Sequence, residues 1–435
     1  MAQSSFDKRL APHVACGRMT LKLISAFGLV AMVGVAWLMS ERKRMFPWRA
    51  VLWGIVLQFA FGLFILHTEV GKTIFGKCQD AVNRFIGFAN EGNQMVFGPL
   101  AKKELLEKSF GPNDAFLFVI VVTGTVILIS AVSSLLYHYG ILQLIVRAAA
   151  WVMRKLMGTS GSETLSAAAN IFMGQTEAPL VVKPYLAGMT RSELNCMMVG
   201  GFATIAGGVM AVYSGALNIP AGHLLTASVM SAPAALLIAK VMVPETEVSE
   251  TAAGTTAKIP RETVNGIDAL CTGAGDGMKL AINVAAMLIA FTAVVAAVNW
   301  VLGWGFGLVG WETQKPLQTL LGYANAPFAW AMGIPAKDCV AVGQALGERI
   351  VLNEFIGYMS LADMKKASLI DERSYTLATY ALCGFANLAS VAIQIGGIGA
   401  LAPSRRNDLA ALGMKAMVGG LLASYMTACV CGVLL

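Results

Sequence analysis

The chain has 435 residues, of which 57% are hydrophobic and 13% are charged, and its mean hydropathy is +0.67. This composition excludes an ordinary soluble domain and predicts an integral membrane protein, with the lipid bilayer as its surroundings. The formal net charge of +7 does not indicate a nucleic-acid partner, because the basic residues are spread over short loops and form no patch with interleaved aromatic residues.

Long uncharged runs predict the membrane-spanning helices. A helix needs roughly 20 apolar residues to cross the hydrocarbon core. Runs near that length lie at 23–40, 50–67, 115–146, 194–239, 280–311, 374–404 and 416–435. The run at 194–239 is long enough for two helices, with a break at 217–222 where Pro and Gly permit a turn. We therefore expect an all-α polytopic protein with about eight transmembrane helices.

Charged residues between these runs predict the orientation and one further element. Arg42, Lys43 and Arg44 lie in the first short loop, which places that loop on the cytoplasmic side. Residues 69–112 mix charged and apolar side chains, a pattern that suits a helix lying at the membrane interface.

Two further segments are too polar and too interrupted to be lipid-facing helices. In 162–190 an apolar stretch is broken by polar residues, Gly and Pro, and the same holds in 325–362. Non-helical backbone at membrane depth is tolerated only where it is buried in protein or lines a wet cavity. Both segments therefore predict re-entrant hairpins.

The two hairpins belong to two copies of a larger unit. The segment GFATIAG at 201–207 follows the first hairpin, and the related segment GFANLAS at 384–390 follows the second. The crossings expected between the copies are odd in number, so the second hairpin enters from the opposite face. This is the inverted-repeat arrangement of secondary transporters.

The chain therefore divides into five predicted regions. They are an N-terminal arm (1–20), a scaffold region with the first three spanning helices and the interfacial helix (21–158), a first repeat with hairpin 1 and two helices (159–243), a polar loop with an interfacial segment and a central scaffold helix (244–311), and a second repeat with hairpin 2 and two helices (312–435). In the fourth region the glycine-rich stretch 273–277 lacks the strand and the Lys-Ser/Thr of a phosphate-binding loop. We interpret it as a flexible joint and expect no organic cofactor.

Glu177 and Glu354 are the leading candidates for a binding site. A carboxylate at membrane depth costs about 2.5–3.5 kcal/mol on insertion scales and is therefore functional by default. The structural alternatives are an ion pair of Glu177 with Lys183 or a helix-terminal cap, and an ion pair of Glu354 with Arg349.

Polar side chains near the two glutamates suit a neutral ligand rich in hydroxyl and ring N–H groups. Gln175 and Thr176 precede Glu177, while Asn387 and Ser390 lie in the second GFA segment. Paired carboxylates repel phosphate, which favours nucleosides over nucleotides. Helix packing alone is the alternative role for these amides and hydroxyls.

Asn170 and Thr204 offer side-chain oxygens near glycine-rich breaks, as a hard cation requires. They predict a sodium site between the first hairpin and the segment 201–207, with ordinary interhelical hydrogen bonding as the alternative.

The motifs GQTEAPL at 174–180 and VLNEF at 351–355 resemble the signatures of the concentrative nucleoside transporters. The resemblance extends to AAANIF at 167–172 and GFAN at 384–387, and it covers nearly the whole chain beyond the N-terminal arm. It implies a homotrimer in which a transport domain moves like an elevator against a scaffold.

The same resemblance implies roles for individual residues. The nucleobase contacts correspond to Gln175, Thr176 and Glu177, with Val209 beside them. The ribose contacts correspond to Glu354, Asn387 and Ser390, and Phe385 is similar to the aromatic residue that packs at the site. The sodium ligands correspond to the side chains of Asn170 and Thr204 and to the backbone carbonyls of Met173 and Ile205. Thr204 replaces the serine expected in sodium-coupled members but keeps the hydroxyl.

These features together predict a sodium-coupled symporter that imports nucleosides of the uridine, cytidine and adenosine class across a bacterial inner membrane. Proton coupling and transport of another polar metabolite are alternatives of the same class. A membrane-embedded enzyme and a channel are alternatives of different classes. The enzyme lacks support from any His-Glu-x-x-His or Gly-x-Ser-x-Gly motif in the sequence.

Overall fold

The computed structural model describes residues 3–111, 117–252, 263–308, 310, 313 and 315–435. Every regular element within these ranges is a helix, which confirms the predicted all-α class. The chain opens with α1 (Gln3–Leu38) and α2 (Trp48–His67). Exposed apolar side chains on these helices, such as Leu23, Val30 and Leu52, suit contact with lipid.

The expected interfacial segment forms an amphipathic helix, α3 (Glu69–Phe97), followed by the short α4 (Lys103–Phe110). Thr68 caps α3, since its hydroxyl accepts a hydrogen bond from the Gly71 N–H at 2.9 Å. The helix packs against α2 on one side and α5 (Phe118–His138) on the other.

The third predicted span extends too far. We expected it to run through 115–146, but α5 ends at His138, and α6 (Ile141–Met157) leaves it at an angle of 75°. Gly140, in the left-handed region at φ +80°, makes the turn. Hydropathy missed this end because the residues at the turn are uncharged.

The region predicted as the first repeat contains five helices. Its helices are α7 (Gly161–Ala169), α8 (Ala178–Val181), α9 (Arg191–Ala203), α10 (Gly207–Leu217) and α11 (Ala221–Met242). The first hairpin comprises α7, the irregular segment 170–177, α8 and a 3₁₀ turn. Helices α9 and α10 form one span interrupted at 204–206, and the predicted break at 217–222 separates α10 from α11.

A buried ion pair anchors the start of the first hairpin. Ser160 and Glu163 form a capping box at the N-terminus of α7, with the Ser160 N–H donating to Glu163 Oε1 at 2.6 Å. The other carboxylate oxygen of Glu163 lies 2.8 Å from Lys240 Nζ on α11. The base of the hairpin is therefore held against α11.

The prediction of a flexible joint at 273–277 is wrong. These residues lie within one continuous helix, α12 (Gly266–Gly307), which packs along α5. A Cβ atom at Gly273 would lie 2.5 Å from the Ser130 carbonyl oxygen, and one at Gly277 would lie 2.7 Å from Ile127 Cα. The glycines serve close helix–helix packing, as small residues do in membranes.

The second repeat has the same order of parts. Its helices are α13 (Pro316–Ala331), α14 (Cys339–Val351), α15 (Glu354–Lys366), α16 (Glu372–Leu382), α17 (Leu388–Leu401) and α18 (Arg406–Leu434). The second hairpin is α14 and α15, so the predicted boundary at 325 is too early, because residues 325–331 belong to α13. Helices α16 and α17 form the broken helix, and α18 is the unbroken one.

Six helices in the described ranges are long and apolar enough to cross a membrane, or seven if α5 and α6 count as one bent span. The run at 374–404 is divided between α16 and α17, both too short to cross alone. The multi-pass architecture is confirmed, while a count of eight spanning helices stays a prediction.

Glu41 links the loop between α1 and α2 to both repeats. Its carboxylate accepts hydrogen bonds from Arg191 Nη2 at 3.0 Å, at the start of α9, and from Lys415 Nζ at 2.8 Å, on α18. The hydrogen bond from Arg191 and the adjacent Lys415 charge lower the pKa of the Glu41 carboxyl to about 2.

Substitution of Gly273 tests the close packing of α12 on α5. Gly273→Ala should destabilise the protein by about 1–3 kcal/mol, because the new methyl group meets backbone atoms that have little room to shift. Gly275→Ala is the matched control, since a Cβ atom at Gly275 meets nothing within 4 Å. Thermal unfolding in detergent measures both, and equal midpoints for the two variants would refute a packing role for Gly273.

Glu41→Gln tests the link to the two repeats. Because the folded-state pKa lies below the ordinary value, the link stabilises at pH values above about 4.5 and is lost as the pH falls toward 2. The free energy of unfolding of the wild type should exceed that of the variant by about 1 kcal/mol at pH 7. The difference between their unfolding midpoints should narrow between pH 5 and pH 3. Glu69→Gln is the control, because Glu69 forms an exposed ion pair with Lys72. This variant should change neither the free energy of unfolding nor the pH dependence of the unfolding midpoint.

Candidate functional site

The candidate site lies where the four helix interruptions come together. They are the tip of hairpin 1 at 170–177, the break of α9 and α10 at 204–206, the tip of hairpin 2 at 352–353 and the break of α16 and α17 at 383–387. Each interruption frees backbone groups that must find new partners. Polar side chains from both repeats are therefore concentrated here.

Glu354 is the buried acidic residue of this site. It begins α15, and its carboxylate accepts hydrogen bonds from the Tyr213 hydroxyl at 2.8 Å and from Asn387 Nδ2 at 3.0 Å. Asn387 also caps α17, because its Oδ1 accepts the Ser390 N–H at 2.8 Å. Two helix starts are thus joined through one carboxylate.

Gln175 connects the tip of hairpin 1 to α17. Its Nε2 donates to Ser390 Oγ at 3.0 Å, and its Oε1 accepts from Gln394 Nε2 at 3.1 Å. Through Ser390 and Asn387 this contact continues to Glu354. The structure therefore brings together four predicted site residues, namely Gln175, Glu354, Asn387 and Ser390.

The other predicted substrate contacts lie around this network. The side chains of Thr176 and Glu177 are exposed beside it, and Thr176 lies against Gly397 on α17. Val209 is half-buried on α10, and Phe385 is buried in the break before α17. None of these four has a hydrogen bond to the Gln175–Glu354 network within the described part of the chain.

The expected ion-pair alternatives do not occur among the described residues. Lys183 lies outside ion-pair distance of Glu177, whose carboxylate instead accepts the Gly174 N–H at 3.1 Å. Arg349 donates to the Ala381 carbonyl and to Ser424, with no ion pair to Glu354. Glu177 therefore shapes its own turn, and Glu354 is held by neutral donors.

The predicted sodium ligands combine buried oxygens that lack donors. Asn170 Nδ2 donates to the Ser166 carbonyl at 3.0 Å, while its Oδ1 is buried with no hydrogen-bond partner. Thr204 donates to the Gly200 carbonyl at 2.9 Å, which leaves its oxygen lone pairs available. The carbonyls of Met173 and Ile205 accept no hydrogen bond from the described residues. An orphaned amide oxygen and free carbonyls are the donors that suit a hard cation.

Two residues of the network, Tyr213 and Gln394, are not among the predicted site residues. Gln394 was detectable in principle, as a lone amide within the apolar helix α17. Tyr213 carried no such signal, because a tyrosine on an apolar helix is ordinarily a packing residue. Only the fold brings it to Glu354, 141 positions later in the chain.

Sequence comparison assigns most of the chain to three family models. Residues 27–100 match the Na+ dependent nucleoside transporter N-terminus, residues 223–432 match the Na+ dependent nucleoside transporter C-terminus, and residues 119–220 match a Gate model described as nucleoside recognition.

Curated relatives match over nearly the full length of this chain. An uncharacterized transporter, YutK, of Bacillus subtilis (strain 168) is 41% identical over 93% of this chain and 97% of its own length. An uncharacterized transporter of Haemophilus influenzae is 40% identical, over 94% of this chain and 97% of its own length. Sodium/nucleoside cotransporter 1 of Rattus norvegicus is 38% identical over 95% of this chain and 64% of its own length.

Solved structures agree with the sequence relatives. CNTnw in an inward-facing substrate-bound state has a TM-score of 0.89 at 37% identity, covering 95% of this chain and 97% of that one. A substituted CNTnw in an outward-facing state reaches 0.90 at 35% identity, covering 95% of this chain and 98% of that one. The fold and the hairpin-lined site define a multi-pass membrane transporter. The chain belongs to the Na+-dependent nucleoside transporter family, whose members are transporters and not enzymes.

Removing the hydroxyl of Tyr213 tests the role of the network around Glu354. Tyr213→Phe should weaken nucleoside binding about tenfold, because a hydrogen bond to a charged group contributes about 1.5–3 kcal/mol and orients the carboxylate. Equilibrium binding to purified protein measures the change.

Tyr358→Phe is the matched control for Tyr213→Phe. Its ring lies 4.8 Å from that of Tyr213, but its hydroxyl donates to the Thr379 carbonyl at 2.8 Å and not to Glu354. Nucleoside affinity should stay within twofold of wild type, roughly 0.4 kcal/mol. Equal losses in both variants would show that the hydrogen bond from Tyr213 to Glu354 has no specific role in nucleoside binding.

Proposed function

We propose that this chain is a sodium-coupled symporter that imports nucleosides of the uridine, cytidine and adenosine class. Its membership in the Na+-dependent nucleoside transporter family supports nucleoside transport. The observation that carries the choice of ion is the buried Oδ1 atom of Asn170, which has no hydrogen-bond donor and belongs to a side chain that lies against Gly200 in α9. Burying such an oxygen without a partner costs free energy that a bound cation would recover.

In this proposal the two repeats bind different parts of the substrate. Glu354, Asn387 and Ser390 form hydrogen bonds with the ribose hydroxyls. The Glu354 carboxylate accepts, while the amide of Asn387 and the hydroxyl of Ser390 can donate or accept. A carboxylate already oriented by Tyr213 and Asn387 is a strong acceptor for a hydroxyl donor.

The first hairpin then contacts the nucleobase. Gln175, Thr176 and Glu177 provide amide, hydroxyl and carboxylate groups on one turn, and the exposure of Thr176 and Glu177 leaves them available to a ligand. Val209 and Phe385 supply the apolar contacts for the ring.

Sodium and nucleoside are coupled through the tip of hairpin 1. Sodium held by Asn170, Thr204 and the carbonyls of Met173 and Ile205 joins the hairpin to the break of α9 and α10. Gln175 follows Asn170 within the same irregular segment, so ordering this segment orders a nucleobase contact. Binding linkage is reciprocal, and the nucleoside therefore raises the affinity for sodium by the same factor.

The transport cycle moves this site across the membrane by an elevator motion in a homotrimer. Relatives of known structure have been captured in inward-facing, intermediate and outward-facing states, which supports such a cycle. The bacterial relatives, similar over nearly their whole length, support a bacterial inner membrane. The basic loop at 42–44 then faces the cytoplasm.

Uptake into proteoliposomes tests the proposed function. Labelled uridine and adenosine should accumulate under an inward sodium gradient and should not accumulate under a pH gradient alone. Asn170→Ala should raise the sodium concentration for half-maximal uptake about tenfold or more, equivalent to roughly 1.4 kcal/mol of lost ion binding.

Asn195→Ala is the control for the sodium ligand. Asn195 is also a buried amide with an unpartnered Oδ1, but its Nδ2 donates to the Ala239 carbonyl on α11. Its replacement should leave the sodium dependence unchanged. Uptake that follows a pH gradient and ignores sodium would instead establish proton coupling.

A further inference from the structure

Arg349 is a fully buried cation in the second hairpin. Its side chain has 0% relative exposure, and no carboxylate of the described residues lies within ion-pair distance of it. Its Nε also has no hydrogen-bond partner. An unpaired guanidinium is costly at membrane depth, so its presence calls for a physical reason.

The donors of Arg349 converge on one end of a broken helix. Nη1 donates to the Ala381 carbonyl, and Nη2 donates to Ser424 Oγ at 3.2 Å. The Ser424 hydroxyl in turn lies within hydrogen-bond distance of the Cys383 carbonyl at 2.9 Å and of the Gly420 carbonyl in its own helix at 3.0 Å. The Ala381 and Cys383 carbonyls close the C-terminal end of α16, where the last C=O groups lack helical partners and carry partial negative charge.

The related end in the first repeat has neutral donors. Matching the GFA segments places Met198 opposite Ala381 and Gly200 opposite Cys383. The Met198 carbonyl accepts from Gln394 Nε2 at 3.2 Å, and the Gly200 carbonyl accepts from the Thr204 hydroxyl at 2.9 Å.

Both helices lack a basic residue in their last turn, so the charge at each end has to come from elsewhere. In the second repeat it comes from the adjoining hairpin, since Arg349 is on α14. In the first repeat no cationic side chain of the described residues donates to these carbonyls, and the side chain of Asn170, whose Oδ1 has no hydrogen-bond donor, lies against Gly200.

We propose that Arg349 is a fixed cation that does for the break of α16 and α17 what bound sodium does for the break of α9 and α10. The proposal rests on the sodium site of the proposed function. The two repeats then differ. Arg349 keeps the break of α16 and α17 ordered at all times, whereas the break of α9 and α10 is ordered only when sodium binds. The second repeat then needs no ion of its own.

Arg349 is a positioning residue in this scheme. It touches no substrate, but it fixes the end of α16, and the break that follows carries Asn387, which holds Glu354. A cation in this place keeps the ribose side of the site ordered throughout the cycle. The nucleobase side, on hairpin 1, is ordered by sodium.

Charge-retaining and charge-removing variants test the assignment. At saturating sodium, Arg349→Gln should weaken nucleoside binding tenfold or more, whereas Arg349→Lys should stay within threefold of wild type. With each variant saturated by nucleoside, the sodium concentration for half-maximal sodium binding should change less than twofold in both variants, because the ion site lies in the other repeat. Wild-type affinity in Arg349→Gln, or equal losses in the Gln and Lys variants, would overturn the proposal.

A second measurement uses the unmodified protein, so it does not depend on whether the variants fold. Equilibrium binding of radioactive sodium in the presence of saturating uridine should give one ion per protomer. Two ions per protomer would overturn the fixed-cation role of Arg349 and leave the sodium-coupled function intact. Absence of sodium binding, with uptake indifferent to sodium, would overturn the proposed function itself.

Discussion

The constraint on which this structure depends is that a helix interrupted at membrane depth must satisfy its freed N–H and C=O groups within the protein. Four interruptions meet at one place, and side chains form hydrogen bonds to several of the freed backbone groups. Asn353 accepts the Ile356 N–H at the start of α15, and Asn387 accepts the Ser390 N–H at the start of α17. Asn387 also donates to Glu354. In the proposed function, helix capping and ligand recognition are therefore tasks of the same residues.

The site exists only where the two repeats touch. Tyr213 from the first repeat reaches Glu354 in the second, and Gln175 from the first hairpin reaches Ser390 on α17. Neither repeat holds a complete set of polar groups by itself. The two repeats also pack closely against each other, with α9 and α11 of the first lying along α18 of the second. In the proposed function the substrate contacts side chains of both repeats, so its binding can alter the conformational balance of the transporter.

Much of the fold followed from sequence, because charges, Gly and Pro within apolar runs have few explanations in a bilayer. The hairpins and the breaks belong to this group. Four of the eight predicted substrate contacts, Gln175, Glu354, Asn387 and Ser390, lie in one hydrogen-bonded network, and their contact with substrate stays a prediction. Gly273 shows the limit, since glycine serves both a loose joint and a close contact, and only the neighbouring helix α5 distinguishes them. The end of α5 was missed because a turn of uncharged residues looks like a continuing span. Tyr213 was missed because its partner lies far along the chain.

The hydrogen bonds of Gln394 determine the orientation of the Gln175 amide, that is, the positions of its Oε1 and Nε2 atoms. Gln394 Nε2 donates to the Met198 carbonyl as well as to Gln175 Oε1, and a carbonyl can only accept. A flipped Gln175 would set two amide NH₂ groups against each other, so the backbone of α9 dictates the polarity of a side chain on the hairpin. The directions of the second Nε2–H group of Gln175 and of the second lone pair on its Oε1 are therefore also fixed. A partner meeting this side chain encounters a donor and an acceptor in a set order, as it would along the edge of a base pair.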